Sequence, residues 1–213
     1  MKMDLHKPVM LFLLLFASLW NTVYAGQAAE KQPIFLTVFV HDDIPQAERA
    51  SIRRDYFAWL LKDMESFTER RVFLEFIENK GELTTFKYQG DDIDTIHSNW
   101  GNLVHRYTED NNLRWGITHK YLLLTRHKIN SYTLGITKPF HYAAIASMET
   151  YQAAAHEIGH MLGGTHEASE VLYKDGWWCE TNITPTRYNL RANCYVYSAQ
   201  NRKIMRNYLD RAP

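Results

Sequence analysis

The stretch HEIGHMLGGTH, residues 156–166, holds three histidines at a spacing that suits one metal ion. Residues four apart share a face of a helix, so His156 and His160 can bind the same ion. Gly163 can take the left-handed conformation that ends a helix, after which the chain can turn and bring His166 to the ion. Structural zinc sites usually have four protein ligands, whereas catalytic zinc keeps one position open. The spacing therefore predicts a catalytic metal site with three imidazole ligands.

Glu157 directly follows the first of these histidines. At that position its carboxylate can lean over the open coordination position rather than fill it. The alternative is an amphipathic helix with histidines on its surface. The short H-E-x-x-H pattern arises by chance at a modest rate, but the extended pattern that ends at His166 is far more specific. We therefore interpret Glu157 as a candidate catalytic group.

Length and composition indicate a globular protein. The 213 residues suffice for one domain with a sizeable core and a targeting segment. Hydrophobic residues make up 46% and aromatic residues 14%, which argues against a disordered chain. Lysine and arginine together number 24, as do aspartate and glutamate, so the charge balance indicates no nucleic-acid partner and no anionic membrane surface. We expect a soluble monomer.

The N-terminus has the pattern of a secretory signal peptide. Lys2 and Lys7 supply positive charge, and the apolar run 9–20 is followed by compact residues at which a signal peptidase can cut. We predict a signal peptide of residues 1–25 and a mature domain of residues 26–213. The alternative is an uncleaved anchor, but the run falls short of the roughly 20 apolar residues that span a bilayer. The predicted location is secreted or periplasmic, with no membrane contact after cleavage.

Cys179 and Cys194 are the two cysteines of the chain. An oxidising compartment favours a disulfide between them. A closed loop of about 15 residues stabilises a fold by roughly 3 kcal/mol in the chain-entropy account. The alternative, two free thiols in a reducing compartment, depends on whether the signal peptide is real.

Runs dense in β-branched and aromatic residues predict strands. Strands are expected at Ile34–Val40, Arg71–Ile77, Tyr121–Thr125 and within Leu83–Tyr88. The run with three consecutive leucines, Tyr121–Thr125, is expected at the centre of the sheet. One-sided apolar spacing predicts a helix from Pro45 and another after Asp91, Asp92 and Asp94. We interpret these three carboxylates as helix caps, with a calcium site as the alternative.

From residue 134 to residue 147 the sequence alternates short strands and turns. Strands are expected at Leu134–Thr137 and Ala143–Ser147. Tyr151–Leu162 then has the pattern of a helix that carries the first two histidines. This order of elements predicts an α/β fold, in which helices pack against a mixed sheet.

Residues 120–167 resemble the catalytic core of the metzincin zinc endopeptidases, closest to the reprolysin or adamalysin branch. The resemblance rests on the leucine-rich strand, the strand at Gly135, the run Ala144–Ser147 and the stretch from Ala155 to His166. It implies a twisted mixed sheet with packed helices in an upper part, about residues 30–164. A small disulfide-closed C-terminal subdomain, about residues 165–213, is implied below the cleft.

The resemblance also implies roles for individual residues. His156, His160 and His166 would bind Zn²⁺, and Glu157 would act as the general base. The upper edge of the cleft, against which an extended substrate pairs, is placed in the region of residues 135–147, with the edge residues Ala144, Ile145 and Ala146.

Two positions depart from the family pattern. Metzincins have a methionine in a tight turn beneath the zinc, but here Val196 stands in the expected place. The alternative is Met205, although its surroundings have the pattern of a closing helix. Glu167 stands where reprolysins usually have aspartate, so either a role beside the metal or surface exposure is open.

The predicted function is that of an exported zinc endopeptidase acting on a protein or peptide substrate. One alternative is a non-catalytic zinc-containing module of the same fold that binds proteins. Another is a zinc amidase that acts on cell-wall peptides, because the same water activation serves both reactions.

Overall fold

A twisted five-stranded sheet forms the centre of the chain in the computed structural model, which describes residues 31–185 and 190–212. Its strands are β1 (Ile34–Val40), β2 (Val72–Ile77), β3 (His119–Thr125), β4 (Gly135–Ile136) and β5 (Ala143–Ser147). They lie in the order β2-β1-β3-β5-β4, with β4 antiparallel to β5 and the other neighbours parallel. The predicted mixed α/β fold is confirmed, with the leucine-rich strand at its centre.

The predicted signal peptide, residues 1–25, lies outside the described residues. Within the part of the chain that is described, no helix is both long enough and apolar enough to cross a membrane.

Helices cover both faces of the sheet. They are α1 (Gln46–Arg49), α2 (Ala58–Thr68), α3 (Ile93–Asp110), α4 (Ala153–Met161) and α5 (Ala199–Leu209), with a π-helical turn, Arg53–Phe57, leading into α2. One core cluster joins α2, α4 and α5 to the sheet, and a second joins α3 to the opposite face. Side chains along a strand alternate between faces, so Leu122 and Leu124 belong to the first cluster and Leu123 to the second. The Asp92 carboxylate accepts from the Thr95 N–H at the start of α3, which confirms the capping role of Asp92.

The two outer strands differ in how their edges are covered. Along β2, the Arg53 guanidinium donates to the Leu74 carbonyl at 2.9 Å, and the Val72 N–H donates to the Glu65 carboxylate at 3.0 Å. β4 forms the opposite edge, and no further strand of the described residues lies beside it. The edge next to β4 is therefore the one that can accept an extended chain.

The placement of the substrate edge at Ala144, Ile145 and Ala146 is wrong. These residues belong to β5, which is paired with β3 on one side and with β4 on the other. All three are fully buried. The two-residue strand β4 covers them and takes the edge position.

The strand predicted within Leu83–Tyr88 is also wrong. The N–H groups of Thr84 and Thr85 both donate to the Gly81 carbonyl, so the chain makes a tight turn there. Leu83 and Tyr88 still contribute to the core beneath α3. These residues are buried, but the segment pairs with no strand of the described residues, and an apolar pattern alone does not distinguish burial from strand pairing.

A second, smaller sheet follows the third histidine. β6 (Val171–Lys174) and β7 (Trp177–Glu180) form a hairpin, and β8 (Ala192–Asn193) pairs with β7. The predicted disulfide is present, since Cys179 and Cys194 are bonded. It closes the loop that leads from β7 past residues 182–185 and back through β8.

Candidate active site

The end of α4 sets the path between the second and third histidines. The Gly164 N–H donates to the Gly159 carbonyl at 2.8 Å, and the Gly163 N–H donates to the His160 carbonyl at 2.9 Å. This is the Schellman pair of bonds, in which a residue with positive φ follows the helix. Gly163 has φ +91°, as predicted, and a Cβ atom there would lie 2.2 Å from the Phe140 ring. Glycine is therefore required for the turn that leads to His166.

The three histidines meet at one point. The Nε2 atoms of His156 and His160 are 3.0 Å apart, and each lies 3.1 Å from the Nε2 of His166. The corners of such a triangle are about 1.8 Å from its centre, and metal–imidazole bonds are about 2.0–2.1 Å long, so one ion can be bound by all three. The structure thus brings together the three residues predicted to bind metal.

Backbone carbonyls orient two of the rings. His156 Nδ1 lies 3.0 Å from the Asn182 carbonyl, and His160 Nδ1 lies 2.8 Å from the Gly164 carbonyl. A carbonyl only accepts, so each Nδ1 carries the proton and each Nε2 presents a lone pair. Burial, aided by the neighbouring imidazoles, lowers the pKa of His156 to about 3, and burial also lowers the pKa of His160.

Lone pairs that converge without a proton to share repel each other unless a cation lies between them. This donor set therefore fits a metal ion, and imidazole ligands suit zinc, copper, iron and nickel. Within residues 31–185 and 190–212, no other group of three histidine, cysteine or acidic side chains is arranged to bind one.

Glu157 lies in α4 with its carboxylate against the edge strand. A Cβ atom added to Gly135 would lie 2.7 Å from Glu157 Oε1 and 2.8 Å from Glu157 Cγ, so the glycine of β4 makes room for this side chain. Glu157 is 6% exposed, and its burial raises the pKa to about 8. Such a carboxyl can gain and lose a proton near neutral pH.

A cleft opens beside the histidines and Glu157. The cavity has a volume of about 270 Å³. Residues 133–135 form one wall and Thr184 with Pro185 the other, while Gln152 and Ala153 lie at the start of α4. The exposed ring of Tyr132 stands at its rim. The cleft is bounded by the free edge on one side and by the disulfide-closed loop on the other.

The two candidates for the turn, Val196 and Met205, lie in different elements. Met205 lies in α5 with no exposed surface and belongs to the core, so it is not a turn residue. Val196 lies at a bend before α5 and is half-buried, and its carbonyl accepts from the Asn182 N–H at 2.9 Å. The side chains directly against Gly159 of α4 are those of Ile183 and Tyr197. Val196 therefore binds the N–H of the residue whose carbonyl orients His156.

Two further predictions concern single residues. Glu167 is exposed, which agrees with the surface alternative. Sequence reasoning did not show that Gly135 makes room for Glu157, that Asn182 orients His156, or that the Tyr197 hydroxyl donates to the Ala155 carbonyl at 2.6 Å. Asn182 acts through its backbone carbonyl, which carries no signal in a sequence.

Comparisons with known proteins give little beyond these observations. No protein-family model matches the chain, and no curated protein matches it. Among solved structures, the chain is similar to the crystal structure of a zinc-dependent peptidase from Methanocorpusculum labreanum (strain Z), with 14% sequence identity and a TM-score of 0.46. The match covers 80% of this chain and 99% of that one. A likeness this distant carries no inference about activity.

Proposed function

We propose that this protein is a zinc endopeptidase of the metzincin type, and that Glu157 is its general base. The observation that carries the proposal is the position of Glu157. It is adjacent to the triangle of imidazole nitrogens and opens into the same cleft, yet it is not one of the converging ligand atoms. A metal site used only for structure has no need of a buried carboxyl beside it.

His156, His160 and His166 would hold the zinc ion. When bound, zinc polarises the substrate carbonyl and lowers the pKa of a water molecule toward about 7. Glu157 would take the proton of this water during its attack and deliver it to the leaving amine. The burial of Glu157 suits this role because the raised pKa makes its carboxylate a stronger proton acceptor than an exposed glutamate.

The free edge of β4 would bind the substrate as an added strand. Gly135 and Ile136 pair with β5 on one side only, so their outward N–H and carbonyl groups can pair with an extended peptide. Main-chain pairing supplies affinity in this mode, and pockets for alternate side chains supply selectivity. A peptide bound on this edge would lie beside Gly135, the residue that Glu157 packs against.

We also infer that the protein acts outside the reducing cytosol. The bond between Cys179 and Cys194 is the support, because structural disulfides persist mainly in oxidising compartments. Fractionation of the native host tests this inference. Recovery of the full-length chain in the cytosol with reduced cysteines would contradict it.

The decisive experiment compares the purified protein with Glu157→Gln on a mixed peptide library, with and without a chelator. We expect cleavage by the parent alone and equal zinc affinity in both, because the substitution keeps all three histidines. Glu167→Gln is the matched control, since Glu167 is exposed, and it should cleave normally. Equal cleavage by Glu157→Gln would contradict the mechanism. Zinc binding with no cleavage of any peptide would favour a binding module instead.

A further inference from the structure

Asn201 is a fully buried amide that contacts the loop carrying the third histidine. Its Oδ1 accepts from the Thr165 N–H at 2.8 Å, and its Nδ2 donates to the Thr165 carbonyl at 3.1 Å. The side chain lies in the first turn of α5 with no exposed surface. It therefore hydrogen-bonds both the N–H and the carbonyl of Thr165, the residue that precedes His166.

The first of these bonds acts on His160. The Gly164 carbonyl and the Thr165 N–H belong to one planar trans peptide unit and point in opposite directions. His160 Nδ1–H donates to one end of this unit, and Asn201 accepts from the other end. A rotation of the plane that breaks one bond also breaks the other. Asn201 thus fixes the carbonyl that sets the orientation of His160.

The second bond acts on His166. The Thr165 carbonyl belongs to the next peptide unit, which leads directly into His166, and Asn201 Nδ2 holds it. Beyond the histidine, the Ser198 hydroxyl donates to the Ala168 carbonyl and also accepts from the Asn201 N–H. The start of α5 therefore holds the chain on both sides of the most exposed of the three histidines.

The chemistry of the contact selects asparagine. The side chain must offer one acceptor and one donor, a fixed distance apart and without charge, to a buried backbone. An ionised aspartate has no donor, and leucine of nearly the same shape has neither group. A side chain at position 164 could not take over the role of Asn201, because a Cβ atom there would lie 2.3 Å from Ile183 Cδ1.

We propose that Asn201 is a positioning residue for the metal site, holding His160 and His166 at once through two consecutive peptide planes. The inference rests on the proposed function in that it requires the histidines to bind zinc. Groups that orient ligands typically change metal affinity by about 10–100-fold when they are removed. Because Asn201 acts on two of the three ligands, the upper part of that range is expected.

The test measures zinc affinity by competition with a chromogenic chelator, in the parent protein and in Asn201→Leu. Leu209→Ala is the matched control, because Leu209 is fully buried on the same helix, two turns from Asn201. Urea unfolding of the metal-free proteins shows how far each substitution destabilises the fold. We expect about 10–100-fold weaker zinc binding in Asn201→Leu and parent-like affinity in Leu209→Ala.

Substitution of Co²⁺ for the metal adds a measurement, the visible absorption spectrum, that would not change if Asn201 only stabilised the fold. The visible absorption of bound Co²⁺ reports ligand geometry, so it should change in Asn201→Leu and stay unchanged in the control. If Asn201→Leu does not fold, Asn201→Ala is measured in the same way, since it leaves space for water in place of the amide. Parent-like zinc affinity and cobalt spectrum in the Asn201 variant would overturn the inference, as would an equal loss in the control. Absence of zinc binding by the parent would instead overturn the proposed function.

Discussion

Gly135→Ala is the substitution that most directly tests the geometry of the cleft. The added methyl carbon would lie 2.7 Å from Glu157 Oε1, 2.8 Å from Glu157 Cγ and 2.8 Å from the Ile145 carbonyl. Carbon atoms rest at roughly 3.5 Å or more from their neighbours, so the methyl group must displace them by about 0.7–0.8 Å. The Glu157 side chain can move, but the Ile145 carbonyl belongs to the backbone of β5. Relief therefore requires both a shifted carboxylate and a strained sheet edge.

Two magnitudes follow from this displacement. Overpacking of this kind typically costs 1–3 kcal/mol, so the free energy of unfolding should fall by about 2 kcal/mol. A reacting group misplaced by about 1 Å can cost 100-fold in rate, so kcat should fall by roughly 10–100-fold. Zinc affinity should stay at the parent value, because none of the atoms that Gly135→Ala would crowd belongs to a histidine.

The assays are peptide hydrolysis, zinc competition and thermal unfolding, and the unfolding assay is repeated in a Glu157→Ala background. Glu157→Ala removes the side-chain part of the clash but not the part with Ile145. Gly135→Ala should therefore cost less in that background, with a coupling of about 0.5–2 kcal/mol. Unchanged kcat and unchanged unfolding temperature in Gly135→Ala would refute the argument, and so would purely additive stability effects.

Three further predictions concern groups away from the reacting atoms. Lys120 is 1% exposed, and its burial lowers the pKa of its ammonium group to about 7. Between about pH 7 and 10.5 the unfolded chain therefore binds a proton at this lysine that the folded chain does not. The free energy of unfolding rises with pH over this range. Lys120→Met should therefore raise the free energy of unfolding by roughly 2–4 kcal/mol at pH 6 and much less at pH 10, measured by urea unfolding; equal gains at both pH values would contradict this. Tyr197→Phe removes a buried donor to a carbonyl of α4 and should cost about 1–2 kcal/mol in thermal unfolding without changing the fold, as circular dichroism would show. Replacing Cys179 and Cys194 by serine should cost about 3 kcal/mol and also weaken zinc binding, because the opened loop carries Asn182; parent-like zinc affinity would show that the loop holds its shape unaided.

The three histidines of the candidate metal site could be predicted because their arrangement is local. A helix places His156 and His160 on one face whatever surrounds it, and a glycine after the helix permits the turn toward His166. The positive φ of Gly163 follows from the same local rule. Eleven residues therefore carry nearly all the information about which side chains meet at this point.

The support for these ligands could not be predicted, because it comes from distant parts of the chain. Asn201 is 36 residues from Thr165, and Asn182 is 26 residues from His156. No periodicity links such positions, and the carbonyl of Asn182 would be present with any residue there. The strand at Gly135 was predicted, but the edge was assigned to residues of β5, because a sequence pattern does not show which of two neighbouring strands lies outermost in a sheet.

The two edge strands of the large sheet, β2 and β4, differ in how readily they can pair with another polypeptide. Unpaired strand edges recruit any extended chain, including other copies of the same protein. At β2 the side chains of Arg53 and Glu65 already occupy backbone groups that an incoming strand would need, so growth of the sheet there is obstructed. Growth at β4 remains open and leads past Glu157. Under the proposed function, a polypeptide that joins the sheet at β4 would do so where it can be cut, so self-association at that edge would compete with cleavage.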